Sequence, residues 1–118
     1  IVLSPGANGK VDSRDVDSAP DAKILLLQFE IPMDSVLHAA RRYKAKGTTV
    51  ILNPAPARQI PDELLAPLSS AASWAERFEP YLSPIEIDAL LLRAEELCES
   101  KIFPRPLQGR RAYPYPPI

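Results

Sequence analysis

The sequence predicts an α/β fold with an open, mostly parallel sheet and helices on both faces of that sheet. Residues 24–27 form a continuous apolar run, which is typical of a strand that is covered on both sides, and residues 48–52 form a second, β-branched run. A segment with helical periodicity separates these two runs. Because strands that are separated by helices usually pair in parallel through crossover connections, the order of elements favours this class.

Predicted strands and helices alternate along the chain from its first residue. The strands are expected at residues 1–3, 24–27, 48–52 and 78–82, and the helices at residues 12–19, 32–46, 61–65 and from residue 83 onward. Beyond residue 101 the chain is rich in proline and arginine, a composition that disfavours regular structure. We therefore divide the chain into an incomplete α/β domain at residues 1–100 and an irregular tail at residues 101–118.

The two longer helices are indicated by apolar residues that recur at three- and four-residue steps. These residues are Met33, Val36, Leu37, Ala40 and Tyr43 in the first helix, and Ile87, Leu90, Leu91, Ala94 and Leu97 in the second. Gly47 is placed to end the first helix. Ser83 and Glu86 have the spacing of a capping box, which predicts the start of the second.

Several polar or reactive residues have ordinary structural interpretations. Four cations fill the last turns of the first long helix, where positive charge offsets the helix macrodipole; they are Arg41, Arg42, Lys44 and Lys46. An anion site is the alternative for this cluster. We interpret His38 as a surface residue, and Cys98 as a packing residue because no catalytic dyad is evident beside it.

Composition narrows the class of protein. The 118 residues are 46% hydrophobic and 25% charged, which suits one compact domain. A formal charge of −1 gives no broad attraction to nucleic acids or membranes, so we expect small-molecule or protein partners. The single cysteine and the absence of a signal-like segment favour a cytoplasmic location. Because Ile1 lies within an apolar strand and is not methionine, we expect a piece of a longer protein.

Polar residues follow each predicted strand at the point where it ends. Asn8, Glu30, Asn53 and residues 84–88 occupy these positions. The break after Asn53 is abrupt because Pro54 and Pro56 lack the amide hydrogens that a ladder needs. Parallel strands present their carboxyl ends at one edge of a sheet, where ligands bind, so we expect these residues to converge there.

Glu30 is the strongest candidate for binding a ligand. A carboxylate at a strand exit can accept hydrogen bonds from two hydroxyl groups, which is a common way to hold a polyol. The residues alone are therefore compatible with a sugar as the ligand. The alternative is that Glu30 is a solvated loop residue.

Three motifs resemble the ribokinase family of carbohydrate kinases, in order and with similar spacing. They are Ser-Pro-Gly-Ala-Asn at residues 4–8, Leu-Leu-Gln-Phe-Glu-Ile-Pro at residues 26–32 and Leu-Asn-Pro-Ala-Pro-Ala-Arg at residues 52–58. The resemblance covers residues 1–66 and, less closely, residues 80–92. It implies a central fragment of a ribokinase-like, Rossmann-like fold from which the lid and the C-terminal nucleotide-binding part are missing.

The resemblance also implies a reaction, in which ATP donates a phosphoryl group to the 5-hydroxyl of ribose. It implies Mg²⁺ as a cofactor and K⁺ as an activating ion, and family members often form homodimers. Glu30 matches the ribose-binding glutamate of the family. Asn8 is a second candidate for the substrate side.

The nucleotide side of the site is only partly matched. The family motif Pro-Asn-x-x-Glu corresponds to residues 84–88, where Asp88 retains a carboxylate but Ile85 replaces the asparagine. Glu86 and Asn53 are further candidates for this side, and Glu86 also has the helix-capping interpretation. We assign no metal ligand from the sequence.

The expected catalytic segments do not occur in these residues. The four glycines include no adjacent or alternating pair, so neither the glycine-pair substrate loop nor the Gly-Ala-Gly-Asp segment with the catalytic aspartate is present. We therefore expect no catalytic residue in this chain and an inactive isolated chain. Two alternatives stay open: a degenerate paralogue that binds a sugar or a protein, and a sequence altered in reading frame or splicing.

Overall fold

A computed structural model describes residues 6–70 and 75–103. In chain order, the elements are a 3₁₀ turn at Asn8–Lys10, helix α1 (Ser13–Ser18), strand β1 (Ile24–Gln28), helix α2 (Met33–Ala45), strand β2 (Thr49–Asn53), helix α3 (Asp62–Leu65), a 3₁₀ turn at Ala66–Leu68 and helix α4 (Pro84–Ser100). The α/β class is confirmed. The predicted strand at residues 1–3 and nearly all of the predicted tail lie outside the described residues.

The two described strands pair in parallel, as predicted. Their register runs from Ile24 opposite Thr49 to Gln28 opposite Asn53. The connection between them is α2, whose bounds agree with the predicted helix to within one residue at each end. Gly47 follows this helix with a φ of 77°, a conformation that glycine adopts without steric cost and that lets the chain turn into β2.

The hydrophobic core lies between the sheet and the helices. Phe29 and Val36 are fully buried at its centre. They pack with Val16, Leu27, Ala39, Ile60 and Leu65. Partly buried side chains that pack against this core include Leu25, Val50, Leu52 and Cys98. The predicted apolar face of α2 is therefore confirmed, and Cys98 packs as expected.

Only one face of the described sheet is covered. Side chains alternate across a strand, and the face opposite the core carries Ile24 and Leu26, each 62% exposed, and Ile51, which is 48% exposed. The expectation that β1 is covered on both sides is therefore wrong for this structure. Its continuous apolar run reflects one packed face and one apolar face open to solvent.

At the start of helices α1 and α4, side-chain carboxylates accept hydrogen bonds from backbone amides that have no partner within the helix. The Asp12 carboxylate accepts hydrogen bonds from the amides of Arg14 (2.8 Å) and Asp15 (3.2 Å) at the start of α1. At α4, the Glu86 carboxylate accepts a hydrogen bond from the Ser83 amide at 2.9 Å, as the capping-box spacing predicted. The predicted core face of α4 is also buried or half-buried along its length.

The predicted strand at residues 78–82 is wrong. The amides of Tyr81 and Leu82 both donate to the carbonyl of Phe78 at 2.8 Å, so this segment forms local turns. Pro80 within the segment has no amide hydrogen for a sheet ladder. The chain therefore satisfies its backbone groups locally, although its composition resembles that of a strand.

Helix α4 is joined to the segment before α3. The amide of Ile60 donates to the carbonyl of Lys101 at 2.7 Å, and the Lys101 ammonium pairs with the Asp62 carboxylate at 2.7 Å. None of the helices within the described ranges is long and apolar enough to span a lipid bilayer.

Candidate functional site

The carboxyl ends of β1 and β2 lie side by side, because Gln28 and Asn53 are the last partners in the ladder. Beyond the ladder, the amide of Phe29 donates to the carbonyl of Ala55 at 2.8 Å. The amide of Ala55 in turn donates to the carbonyl of Asn53 at 2.8 Å. The two segments that leave the sheet are therefore bonded to each other, and the Ala55–Pro56 peptide between the two prolines is cis.

Asn8 and Glu30 line one cavity of about 220 Å³ at this edge of the sheet. The remaining lining residues are Leu26, Leu27, Gln28 and Ile31. We call this the Asn8–Glu30 cavity. The structure thus brings together the two residues that the sequence placed on the substrate side, and their part in binding stays a prediction.

Asn8 is positioned by the 3₁₀ turn that it begins and by the residue that follows this turn. Gly6 precedes the turn with a φ of 57°, which glycine tolerates. Val11 follows it and packs against the core. The Ser35 hydroxyl donates to the Val11 carbonyl at 2.8 Å, which ties this segment to the first turn of α2. Asn8 is therefore held near the sheet through the Val11 side of the turn.

Glu30 is positioned by its neighbours in the chain. Phe29 before it is fully buried and Ile31 after it packs against the core, so the exposed Glu30 side chain stands between two anchored residues. The carbonyl of Pro32 then accepts the amides of Ser35 and Val36 at the start of α2. Helix α2 therefore begins just after Glu30 and fixes the place where the carboxylate leaves the sheet.

Gln28 is a cavity residue that the sequence reasoning did not single out. Burial alternates along this segment, with Leu27 and Phe29 buried and Gln28 and Glu30 exposed. The two-residue period of a strand would have placed Gln28 on the same side as Glu30. This period could have identified Gln28, but the apolar run before it is continuous and shows no alternation.

Residues 84–88 do not join the Asn8–Glu30 cavity. Pro84, Ile87 and Asp88 line a separate cavity of about 370 Å³ together with Glu79 and Leu82, and no residue lines both cavities. The expected convergence of these residues at one sheet edge is therefore wrong, because the segment before them is a turn rather than a strand. Asn53 is exposed beside Gln28 and lines neither cavity.

The side chains near residue 85 do not fit a site for a metal and phosphates. The Glu86 carboxylate is occupied by the Ser83 amide and by the Ser83 hydroxyl at 2.7 Å. The hydrogen bond from the amide is the main reason that the pKa of Glu86 lies below its usual range, and the hydrogen bond from the hydroxyl adds to this effect. Ile85 is 81% exposed and offers no hydrogen bond to a phosphate. Within residues 6–70 and 75–103, no three His, Cys, Asp or Glu residues cluster as metal ligands.

The cations at the end of α2 are mostly matched by carboxylates from neighbouring segments. The pairs are Arg41 with Glu63, Arg42 with Asp17, Lys46 with Asp21, and His38 with Asp17. Hydrogen bonds from the Arg41 guanidinium and the Lys46 ammonium hold the pKa values of Glu63 and Asp21 below their usual ranges. These pairs tie α2 to α1, to the loop before β1 and to α3, which favours the structural interpretation over an anion site for Arg41, Arg42 and Lys46.

Comparison with known proteins finds relatives among sugar kinases. The chain is 42% identical over 70 residues to a ribokinase of Staphylococcus aureus (strain COL), a match that covers 56% of this chain and 23% of the relative. It is 33% identical over 106 residues to a ribokinase of Haemophilus influenzae, covering 86% of this chain and 31% of the relative. It is 36% identical over 61 residues to a deoxyribokinase of Salmonella typhi, covering 48% of this chain and 20% of the relative.

The chain thus spans between 20% and 31% of the length of these curated relatives. It matches no protein-family profile and no solved structure. The α/β class and the parallel pairing of β1 with β2 agree with the similarity to the kinases. The chain is a ribokinase-like segment of the carbohydrate kinase fold.

Proposed function

We propose that the Asn8–Glu30 cavity binds ribose. The observation that carries this proposal is that Asn8 and Glu30 line one cavity with Gln28 at the carboxyl end of β1. Carboxylate oxygens accept hydrogen bonds from hydroxyl groups, and side-chain amides both donate and accept them. The apolar walls at Leu26 and Ile31 suit the C–H surface of a sugar ring.

The reaction of the intact protein is proposed from its relatives. Both ribokinases and a deoxyribokinase are similar to this chain, which supports a kinase that acts on a pentose. We propose that ATP is the phosphoryl donor and that the 5-hydroxyl of ribose is the acceptor. Homodimer formation and a cytoplasmic location are parts of the same proposal.

A further part of this proposal concerns the residues on the nucleotide side of the site. Asp88, Glu86 and Asn53 are its candidates in this chain, but the structure holds them outside the Asn8–Glu30 cavity. Since the residues around Ile85 do not fit a metal and phosphates, we assign ATP, Mg²⁺ and K⁺ to the intact protein and not to these residues.

We further propose that the 118-residue chain by itself does not transfer phosphate. Its four glycines form no pair, so the chain contains no Gly-Ala-Gly-Asp segment to supply the catalytic aspartate. Loss of a general base typically slows a reaction by roughly 10²–10⁴-fold. In a coupled assay with ribose, ATP and Mg²⁺, we expect product formation no faster than in a control without protein. Turnover clearly above that control would contradict this point.

A second candidate function is a non-catalytic module that binds a sugar or a protein. The specific observation in its favour is Ile85, an apolar and highly exposed residue at the position where the family motif has asparagine. Sugar binding without turnover fits both candidates. A Gly-Ala-Gly-Asp segment encoded downstream would favour the kinase, and the absence of such a segment would favour the module.

Calorimetric titration with ribose tests the sugar proposal. The Glu30→Gln variant removes the charge and keeps the shape, so we expect its affinity to fall about tenfold or more, as is typical when a hydrogen bond to a charged group is lost. Glu99→Gln makes the same change at an exposed site on α4 and is the matched control. Equal affinities of the wild type and Glu30→Gln would remove Glu30 from the site. Parallel titration with 2-deoxyribose reports on the choice of pentose.

A further inference from the structure

A third cavity lies between α2, β2 and α3. Its volume is about 310 Å³, and none of its lining residues lines the Asn8–Glu30 cavity. We call it the α2–α3 cavity. It runs along β2 from Thr48, just before the amino end, to Leu52, one residue before the carboxyl end, whereas a substrate of an open parallel sheet is expected beyond the carboxyl ends of the strands.

The interior of the α2–α3 cavity is largely apolar. Val50 and Leu52 line it from β2, Ala40 from α2 and Leu64 from α3, and all four pack against the hydrophobic core. Small-molecule cavities in proteins have volumes of roughly 300–1,000 Å³ and mostly apolar walls with a few polar groups. The α2–α3 cavity therefore has the size and lining to hold a small apolar group.

Three charged residues also line this cavity, and their net charge is positive. Arg41 and Glu63 neutralise each other through three hydrogen bonds, from Nε to Oε1 at 2.8 Å and to Oε2 at 3.1 Å, and from Nη2 to Oε2 at 2.5 Å. This pair joins the α2 wall to the α3 wall. Lys44 lies three residues beyond Arg41 on the same face of α2. Its charge adds to that of Arg41 in lowering the pKa of Glu63, but its ammonium forms no salt bridge within 4.0 Å with any residue that the structure describes.

We propose that the α2–α3 cavity binds a small apolar molecule that carries one anionic group, such as a medium-chain carboxylate. The carboxylate would pair with the Lys44 ammonium, and the hydrocarbon chain would lie against Val50, Leu52 and Leu64. The charge of the site selects for the anion, and the apolar walls select against sugars and nucleotides. The Thr48 hydroxyl does not change this preference, because it donates to the Ala22 carbonyl at 2.8 Å.

The experiment is a titration of the ¹⁵N-labelled 118-residue chain with sodium octanoate, followed by amide chemical shifts. We expect saturable shifts at Ala40, Val50, Leu52 and Leu64. Lys44→Glu should weaken octanoate binding by roughly fivefold or more, since it replaces an attractive exposed charge with a repulsive one. Lys10→Glu makes the same charge change at the exposed 3₁₀ turn and should leave the affinity unchanged. In the wild type, 1-octanol should bind more weakly than octanoate.

A variant that fills the cavity tests the location independently of charge. Ala40→Leu adds volume at the wall, so we expect it to abolish the saturable shifts while the spectrum stays that of a folded chain. Octanoate binding that is unchanged in Lys44→Glu, or equal to that of 1-octanol, would overturn the proposal. Octanoate shifts centred on Ile24, Leu26 and Ile51 would also overturn it, because they would place the ligand on the open face of the sheet.

Discussion

The amide of Phe29 donates a 2.8 Å hydrogen bond to the carbonyl of Ala55, which joins the segments leaving β1 and β2 beyond the last ladder pair. Phe29 is fully buried, so this bond is shielded from water. We predict that the Phe29 amide exchanges with solvent deuterium as slowly as the amides within the ladder. Exchange of Phe29 at the rate of an unfolded chain, while the ladder amides stay protected, would show that the two segments separate.

The free energy of unfolding should depend far more on Ile60 than on Ile85, although both residues are isoleucine. Ile60 is 3% exposed within the core and Ile85 is 81% exposed on α4. Ile60→Ala removes buried methyl groups and leaves a cavity, so we expect a loss of about 2–5 kcal/mol in the free energy of unfolding. Ile85→Ala should change it by no more than about 0.5 kcal/mol. Urea unfolding measures both, and similar losses in the two variants would contradict this placement of the core.

Glu86 should make the stability of the chain depend on pH. The Ser83 amide and hydroxyl hold the pKa of Glu86 in the folded chain below the ordinary value of about 4.5. A carboxyl whose pKa is lower in the folded than in the unfolded chain stabilises the fold above its unfolded pKa. That contribution is lost as the pH falls through the folded pKa. The free energy of unfolding should therefore decrease on acidification below the usual glutamate range.

The Glu86→Gln variant isolates this contribution. It removes the ionisable group, while Asp12, Asp21 and Glu63, whose pKa values are also lowered, remain in both proteins. Urea unfolding at neutral pH and at a pH below the glutamate range should show a smaller decrease for the variant than for the wild type. An equal decrease in the two proteins would mean that Glu86 has the same pKa in the folded and unfolded chains.

The open face of the sheet should bind hydrophobic dyes. Ile24 and Ile51 lie on this face beside Leu26, so they form a contiguous apolar patch rather than single exposed residues. Replacing both isoleucines with threonine keeps β-branched side chains in the strands, and we expect dye fluorescence to decrease. Ile85→Thr changes an exposed isoleucine on α4 and should have little effect. A decrease of the same size in both proteins would argue against a patch on the sheet.

The order of β1, α2 and β2 could be predicted because each element has a strong local signal. Continuous apolar runs mark the strands, apolar residues at helical spacing mark α2, and Gly47 marks the end of α2. The segment at residues 78–82 carried a similar local signal but folds into turns. Whether a short apolar segment joins a sheet depends on where its backbone hydrogen bonds go. Here Pro80 has no amide hydrogen to donate, and the Phe78 carbonyl accepts hydrogen bonds from amides within the same segment.

The candidate site could be predicted in part, because two of its residues follow predicted strands. Asn8 and Glu30 were expected at strand exits, and the structure places them at one cavity. The partners of the α2 cations could not be predicted, because Arg41 and Glu63 are 22 residues apart and no periodicity relates them. The α2–α3 cavity was missed for the same reason, since its walls come from three elements that only the fold brings together.

We propose above that ribose occupies the Asn8–Glu30 cavity. The most direct measurement is the set of nuclear Overhauser effects between ribose protons and the protein at saturating ribose. We predict contacts to the Leu26 and Ile31 methyl groups and to the Gln28 side-chain amide, all of which line this cavity. Contacts to Leu82 and Ile87 in the separate cavity, or no contacts at saturation, would contradict the claim.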